Sequence, residues 1–423
     1  MSVGTVSLPR VTPRVQEVAW RGTLAGSALW LFSSNLLYAG CQWATVVGLA
    51  KLGTPAPLGH LGLALAVATP VVLITGFALR TFQATDVTRR YAFADYLNLR
   101  FAANLFAAVI IGIVAVFAHM ERAAVAILVP IGVAKLAEAT SETCYGLAQR
   151  HDRMRFVAVS RMARGAVGLA ALLGVVAAGG TLAKGAWALA GAWTAFLLLV
   201  DLRAAGALEP AFARSEIGTL RRLARESLPL GAVNGVYAVT QSVPRYLLAL
   251  SQGAVAVGYY TALSSMGPAL SQLAAAVCHA AAPRLGWAAV GDGRRYRLLV
   301  VRLLGAAALM SGLLVAVTAL VGRQFLVLAY AEDYAAYHTT FVVIALAAGL
   351  SVVNEVAYIA LVAARRLDLL LSVQSLGLVV TVVAGLGLVP VAGVGGAAVA
   401  VALGGGATDI AATWVLLRGR RRR

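Results

Sequence analysis

In the stretch KLAEATSETCYG, from Lys135 to Gly146, one lysine and two glutamates stand inside an otherwise apolar run. Lys135, Glu138 and Glu142 are spaced at i, i+3 and i+7, so on a helix they share one face, which Tyr145 and Gln149 extend. A charge at the centre of a membrane span costs about 2.5 to 3.5 kcal/mol on insertion scales, so such a face is expected to look into a bundle interior or a water-filled cavity. Two readings follow. Lys135 and Glu138 neutralise each other one turn apart, leaving Glu142 in need of a partner, or the face is the wall of a substrate or ion pathway. Arg245, in SVPRYLL, directly follows Pro244, whose ring frees a backbone carbonyl and bends a helix. Its guanidinium suits a bidentate grip on phosphate, or a snorkelling contact with outer headgroups. Asn35, Asn234, Gln241 and Asn354 are further polar groups within apolar runs, able to line the same cavity or to bond between helices. Glu355 and Asp409 supply carboxylates for gating or for a coupling ion, H+ or Na+.

The elements that position these groups are legible from hydropathy. The chain has 423 residues, 61% of them hydrophobic and 12% charged, with a mean hydropathy of +0.84. That composition belongs to a membrane protein, and at about 20 residues per span it fills with roughly a dozen helices. No substantial soluble domain fits beside them. The expected cores are 22–50, 58–80, 97–118, 122–148, 156–178, 182–202, 227–250, 254–282, 298–321, 337–362, 368–389 and 393–416. An even number puts both termini on one side. Basic residues gather in alternate connections, at Arg80 to Arg100, Arg150 to Arg164, Arg203 to Arg225, Arg284 to Arg302, and Arg365 with Arg366, as well as at both ends. Of the 35 Lys and Arg, only Lys51, Arg122, Lys184 and Arg323 fall on the opposite face, with Lys135 and Arg245 inside helices. The positive-inside rule therefore predicts cytoplasmic N and C termini.

The predicted organisation is a cytoplasmic segment 1–21, a six-helix half 22–202, a basic cytoplasmic linker 203–226, a second six-helix half 227–417 and a basic tail 418–423. The linker interleaves basic and apolar residues, which suits a helix lying on an anionic inner leaflet. A faint internal echo supports two halves. GTPAPLGHLGLALAVATP from Gly53 and GAVAVGYYTALSSMGP from Gly253 share a spacing of Gly, Gly and Pro at equivalent places, as transporter repeats require.

Several other classes are disfavoured. The net charge of +18 and pI near 10.6 reflect membrane orientation through their placement, so no nucleic-acid partner is expected. Cys41, Cys144 and Cys278 are distant from one another and lie in apolar stretches, with neither disulfide nor metal-ligand spacing, so they read as packing residues. YAGC at Tyr38 to Cys41 has the outline of a lipidation site after a signal sequence, but the apolar run continues past it to Ala50 and reads as a first span. No phosphate-binding Gly-Lys-Ser/Thr loop is present, and the glycines of GVGGAAVAVALGGG from Gly393 read as close helix packing. His60, His119, His151, His279 and His338 are scattered, no nucleophile, base and orienter set is visible, and no cofactor is expected. The chain reads as a transporter, not an enzyme.

Three longer stretches carry a family likeness. AKLAEATSETCYGLAQRHDRMRFVAVSRMARG from Ala134 to Gly165, FALRTFQATD from Phe77 to Asp86, and SVPRYLLALSQGAVAVGYYTAL from Ser242 to Leu263 resemble segments of the polysaccharide-exporting flippases. These belong to the multidrug/oligosaccharidyl-lipid/polysaccharide (MOP) exporter superfamily, which includes O-antigen and capsule flippases. In the third stretch Pro244, Arg245, Tyr246, Gly253, Gly258 and Tyr260 are the matching positions, and YAEDYAAY and VAGVGGAA match more loosely. The resemblance implies two six-helix halves around a central cavity in a bacterial inner membrane. Its expected substrate is a polyprenyl-pyrophosphate-linked oligosaccharide, moved to the outer leaflet by alternating access with ion or proton counterflow. Membrane lipids, a polysaccharide polymerase and glycosyltransferases are the implied partners. Carried over by position, Lys135, Arg245 and Arg80 would contact the pyrophosphate or sugar, and Glu138, Glu142 and Asp86 would pair with them or gate. The alternatives are a drug or lipid-intermediate exporter of the same superfamily and a membrane-embedded polymerase or ligase. Short outer loops with four basic residues disfavour the enzyme, and Lys135 and Arg245 favour an anionic substrate.

Overall fold

Helix follows helix from the first described residue to the last, as expected for a chain whose apolar stretches can satisfy their backbone groups only internally. A computed structural model describes residues 24–86, 89–118, 120–267, 285, 293–363 and 366–418. The expected segment 1–21 and residues 419–423 of the expected tail 418–423, together with Cys278, His119, His279, Arg284 and Arg365, lie outside the described residues. The helices are α1 (Leu24–Leu52), α2 (Pro55–Thr75), α3 (Leu79–Thr85), α4 (Phe93–Phe117), α5 (Arg122–Arg150), α6 (Met154–Ala177), α7 (Leu182–Phe196), α8 (Leu202–Gly206), α9 (Ile217–Ser264), α10 (Gly293–Ala329), α11 (His338–Ala363) and α12 (Leu367–Arg418). Among the described residues, nine helices are long and apolar enough to cross a membrane by length and composition. A π turn, Leu197–Asp201, joins α7 to α8, and a 3₁₀ turn, Glu332–Tyr337, joins α10 to α11.

Two of these helices double back at a glycine. Gly253 in α9 (φ +76°) and Gly393 in α12 (φ +53°) adopt backbone conformations that a side chain resists. Beyond Gly253 the chain returns along itself, bringing Thr261 and Ser264 to Arg245. Beyond Gly393 it returns likewise, bringing Thr408 against Gly377. The separate expected cores 227–250 and 254–282, and 368–389 and 393–416, are thus the two arms of such reversals, with 254–282 described only as far as Gly267. Cys41 lies mid-helix in the unbroken α1, consistent with a span running through it.

The core expected over 58–80 stops short, at Thr75. Phe77 (φ +51°) and Ala78 (φ +48°) occupy the left-handed region, a cost of about 1–3 kcal/mol each that breaks the helix and restarts it as α3. The break carries Arg80 across to α5.

Residues 207–216 do not form a separate surface helix; the chain becomes helical again at Ile217 and runs directly into α9. This strap is tied to its surroundings. Glu209 accepts two 2.7 Å hydrogen bonds from Arg150 and contacts His151 at 2.8 Å, while Asn98 donates to Ala213 O at 2.8 Å and to Ser215 at 2.9 Å. Burial alone would raise the pKa of Glu209, but the hydrogen bonds from His151 and Arg150 outweigh it and hold the carboxyl below its ordinary value. A depressed carboxyl contributes stability above its unfolded pKa and loses that contribution as pH falls through its folded pKa. E209Q is therefore expected to weaken the strap at neutral pH by about 1–3 kcal/mol. Limited proteolysis between residues 207 and 216 should be several-fold faster, and the wild type should approach that rate only under acidification.

Candidate functional site

The polar face of α5 meets basic residues from two other helices. Lys135 Nζ donates to Glu138 at 2.8 Å, Arg164 of α6 donates to Glu138 at 3.3 Å and to Glu142 at 3.4 Å, and Arg80 of α3 donates to Glu142. Arg161, one turn before Arg164, stands 4.0 Å from Glu142 and donates to Asn35 of α1 at 2.6 Å. Tyr38 of α1 donates to Glu138. Lys135, Glu138, Glu142, Arg80 and Asn35 are therefore one connected network, in which Lys135 and Glu138 do pair and Glu142 takes its partners from α3 and α6.

Arg164 is the centre of this arrangement. Its side chain is fully buried, and its guanidinium lies 5.4 to 5.6 Å from the ring centroids of Tyr38, Tyr145 and Trp193. A charge enclosed this way is tolerable because carboxylates and ring faces replace its hydration, each interaction being strengthened by the low dielectric. Sequence reading placed Arg164 in a cytoplasmic connection; its spacing to Arg161, three residues on one helical face, was the available signal. Arg100 is another inward group among the expected loop residues, 5% exposed in α4, donating to Thr143 and to Gly76 O.

A cavity adjoins the network, lined by Tyr38, Gln42, Thr45, Lys135, Leu172 and Trp193 among others. The network gathers four basic groups (Lys135, Arg80, Arg161, Arg164) about two carboxylates (Glu138, Glu142), a surplus of positive charge, and it reaches the cavity lining through Lys135 and Tyr38. Chemically the site can neutralise an anion; among the described residues no group of His, Cys, Asp and Glu is arranged to hold a metal ion.

The other sequence candidates lie elsewhere. Arg245 donates to Gln241 O at 3.1 Å, Ser264 at 3.2 Å and Thr261 at 3.4 Å, with its guanidinium 5.6 Å from the Tyr260 ring centroid. All of these partners are neutral, so its charge is balanced by no carboxylate among the described residues. Asp86 organises the turn after α3, accepting from the backbone N–H of Arg90 (3.1 Å) and Tyr91 (3.2 Å) and from Tyr96 Oη (3.2 Å). Beside it, Arg90 and Tyr91 reach Glu226 of α9. Asp409 is 7% exposed on α12 and faces Asn354 without a well-formed hydrogen bond, while Asn354 accepts from Gln374 at 3.0 Å. Glu355 follows on α11, near Tyr237 and Tyr358.

A second feature joins distant parts of the chain. α2 crosses the returning arm of α9 with backbone nearly touching backbone. A Cβ on Gly59 would stand 1.8 Å from Ala254 O, and one on Gly258 would stand 2.0 Å from Pro55 O. The contact is reciprocal: 254 minus 55 and 258 minus 59 are both 199, so equivalent residues of the two glycine-spaced stretches exchange places. Nearby, Trp43 of α1 stacks on Phe325 at 6.2 Å and donates to Tyr330 Oη at 3.2 Å, beside the YAEDYAAY turn.

Comparisons with known proteins agree on what this architecture is. Residues 24–287 match the profile of the family described as "Polysaccharide biosynthesis protein". The capsular polysaccharide biosynthesis protein CapF of Staphylococcus aureus is 23% identical over 132 residues, 31% of this chain and 32% of CapF, so the match spans about a third of that relative. Among solved structures, the lipid II flippase MurJ in an inward closed conformation superposes with a TM-score of 0.75 at 10% identity, over 93% of this chain and 87% of that one. The Vibrio cholerae MATE transporter VcmN gives a TM-score of 0.61 at 13% identity, over 94% and 98%. At such identities the likeness establishes the fold alone, that of MurJ and the MATE transporters, and the nine long apolar helices among the described residues are those of a multi-pass membrane protein.

Proposed function

The chain belongs to the polysaccharide biosynthesis protein family, and on that premise we propose that it is a flippase for a polyprenyl-pyrophosphate-linked oligosaccharide. It moves this lipid from the inner to the outer leaflet of a bacterial inner membrane by alternating access, for surface polysaccharide synthesis. The observation that carries the reading is the network in which Lys135, Arg80, Arg161 and Arg164 outnumber Glu138 and Glu142, and which reaches the cavity lining through Lys135. A pyrophosphate brings the negative charge such a network lacks, and guanidinium and ammonium donors suit its oxygens. Arg245, with only neutral partners, is the second anion contact of this reading, in the expected half 227–417. Twelve spans in two halves, with the basic connections and both termini cytoplasmic, fit the charge distribution.

A drug exporter on the same fold would need carboxylates left free for a cation. At the α5 network Glu138 and Glu142 already accept from basic neighbours, so an anionic substrate is favoured there. Coupling to H+ or Na+ and delivery to a polymerase complete the proposal.

The test is surface glycan in a strain carrying only the K135A variant. Loss of anion contact is expected to lower export about tenfold or more, equivalent to about 1.4 kcal/mol, with the protein still present in the membrane. Unchanged export would remove Lys135 from the substrate path.

A further inference from the structure

We propose that Gln42 is a specificity-determining residue, which presents a hydrogen-bond acceptor near the ammonium of Lys135 and so selects an anion that carries a donor close beside it. Tyr38, Gln42 and Thr45 are spaced at i, i+4 and i+7 on α1, and all three line the cavity together with Lys135. What each can offer a ligand is decided by where its hydrogens go. Glu138 accepts from Lys135 and Arg164 and is therefore a carboxylate, so Tyr38 gives it the one hydrogen that its hydroxyl has. The Tyr38 oxygen can then only accept. Gln42 supplies that bond, Nε2 to Tyr38 Oη at 3.1 Å. The carboxylate thereby fixes which way the Gln42 amide lies, because with the amide reversed two acceptor oxygens would face each other. Thr45 gives its only hydroxyl hydrogen to Cys41 O at 2.9 Å.

The cavity therefore has two unlike sides. On α1 the Gln42 carbonyl oxygen has no partner among the described residues, and the Thr45 hydroxyl has only lone pairs left. On α5 Lys135 spends one ammonium N–H on Glu138, which leaves two for an anion. Three hydrogen bonds connect the sides, from Gln42 to Tyr38, Tyr38 to Glu138 and Lys135 to Glu138. One ligand meets both when a hydroxyl or an acylamino N–H lies within a few bonds of its anionic group. On the flippase reading, on which this step rests, the anion is the pyrophosphate, and the donor is the substituent at C2 of the first sugar, next to the carbon that bears the phosphate. A substrate with only hydrogen at C2 leaves the Gln42 oxygen unmatched, and a site built around a hydrogen bond rejects the analogue that lacks it.

The test is transfer by the purified full chain in proteoliposomes, using two fluorescent polyprenyl-pyrophosphate sugars that differ only at C2, one acetamido and one deoxy. The wild type is expected to move the acetamido lipid about tenfold faster than the deoxy lipid. In Q42M, which keeps the length of the side chain without its amide, that ratio should fall to about one. Y38F removes the oxygen that orders the amide and should lower the ratio as well. Each ratio is taken within one preparation, so unequal insertion or partial misfolding of a variant does not imitate the effect. A ratio of about one in the wild type, or the wild-type ratio in Q42M, would overturn the assignment of Gln42. The wild-type ratio in Y38F would overturn the ordering role of Tyr38. Transfer of neither lipid by the wild type would instead overturn the flippase reading, and this inference with it.

Discussion

Replacing Arg164 with methionine is expected to destabilise the detergent-solubilised protein by about 3–5 kcal/mol, the usual consequence of removing one partner from a buried charge network. Glu138 and Glu142 would lose their shared donor, and the three rings around it, Tyr38, Tyr145 and Trp193, would lose the cation that holds them together. Thermal unfolding followed by size exclusion reads the effect. A double variant, R164M with E138Q, should recover part of the loss, because one uncompensated carboxylate is removed with the guanidinium. The coupling between the two substitutions separates a charge effect from a simple packing defect, which E138Q would not repair. A wild-type midpoint for R164M would show that α3, α5 and α6 do not rely on this residue.

The crossing of α2 with the returning arm of α9 carries the second large effect. At Gly59 and Gly258 an added Cβ meets main-chain oxygen, at 1.8 and 2.0 Å, and no rotamer change can relieve a backbone contact. Overpacking at a rigid contact costs about 1–3 kcal/mol, so G59A should drive the two helices apart. Thr261, which faces Gly62 across the same crossing and is 5% exposed, reports the separation. In a background without native cysteines, T261C should resist a membrane-impermeant maleimide and become labelled at least several-fold faster when G59A is added. Equal labelling with and without G59A would mean that the crossing yields in some other way.

How much of this was readable beforehand differs by element. The apolar cores mark the helices well because a span must be both long and apolar; ends were displaced where local backbone decided, as at Phe77 and Ala78, or where a helix ran on past its apolar core, as at Ile217 and Ala329. Reversals at Gly253 and Gly393 were legible as breaks between expected cores. The face formed by Lys135, Glu138 and Glu142 followed from helical spacing alone. Its partners on other helices did not, although the family likeness pointed to Arg80. Arg80, Arg100, Arg161 and Arg164 sit where spans meet the basic connections, and a rule that assigns such residues to the cytoplasm by sequence position cannot distinguish a solvated arginine from one turned inward. The equivalence of Gly59 with Gly258 appeared in the sequence as a weak echo, and it took tertiary contact to show the two meeting.

The central claim is that a cavity backed by a network with surplus positive charge, and entered by Lys135, carries a pyrophosphate-linked lipid across the membrane. It is tested most directly in proteoliposomes loaded with a fluorescent polyprenyl-pyrophosphate oligosaccharide, by following its transfer between leaflets through accessibility to an external quencher. The wild type is expected to accelerate transfer over protein-free vesicles, and K135A, purified and inserted equally, to lose about tenfold or more of that acceleration. Transfer by K135A at the wild-type rate, or no acceleration by the wild type while a cationic amphiphile is moved instead, would contradict it.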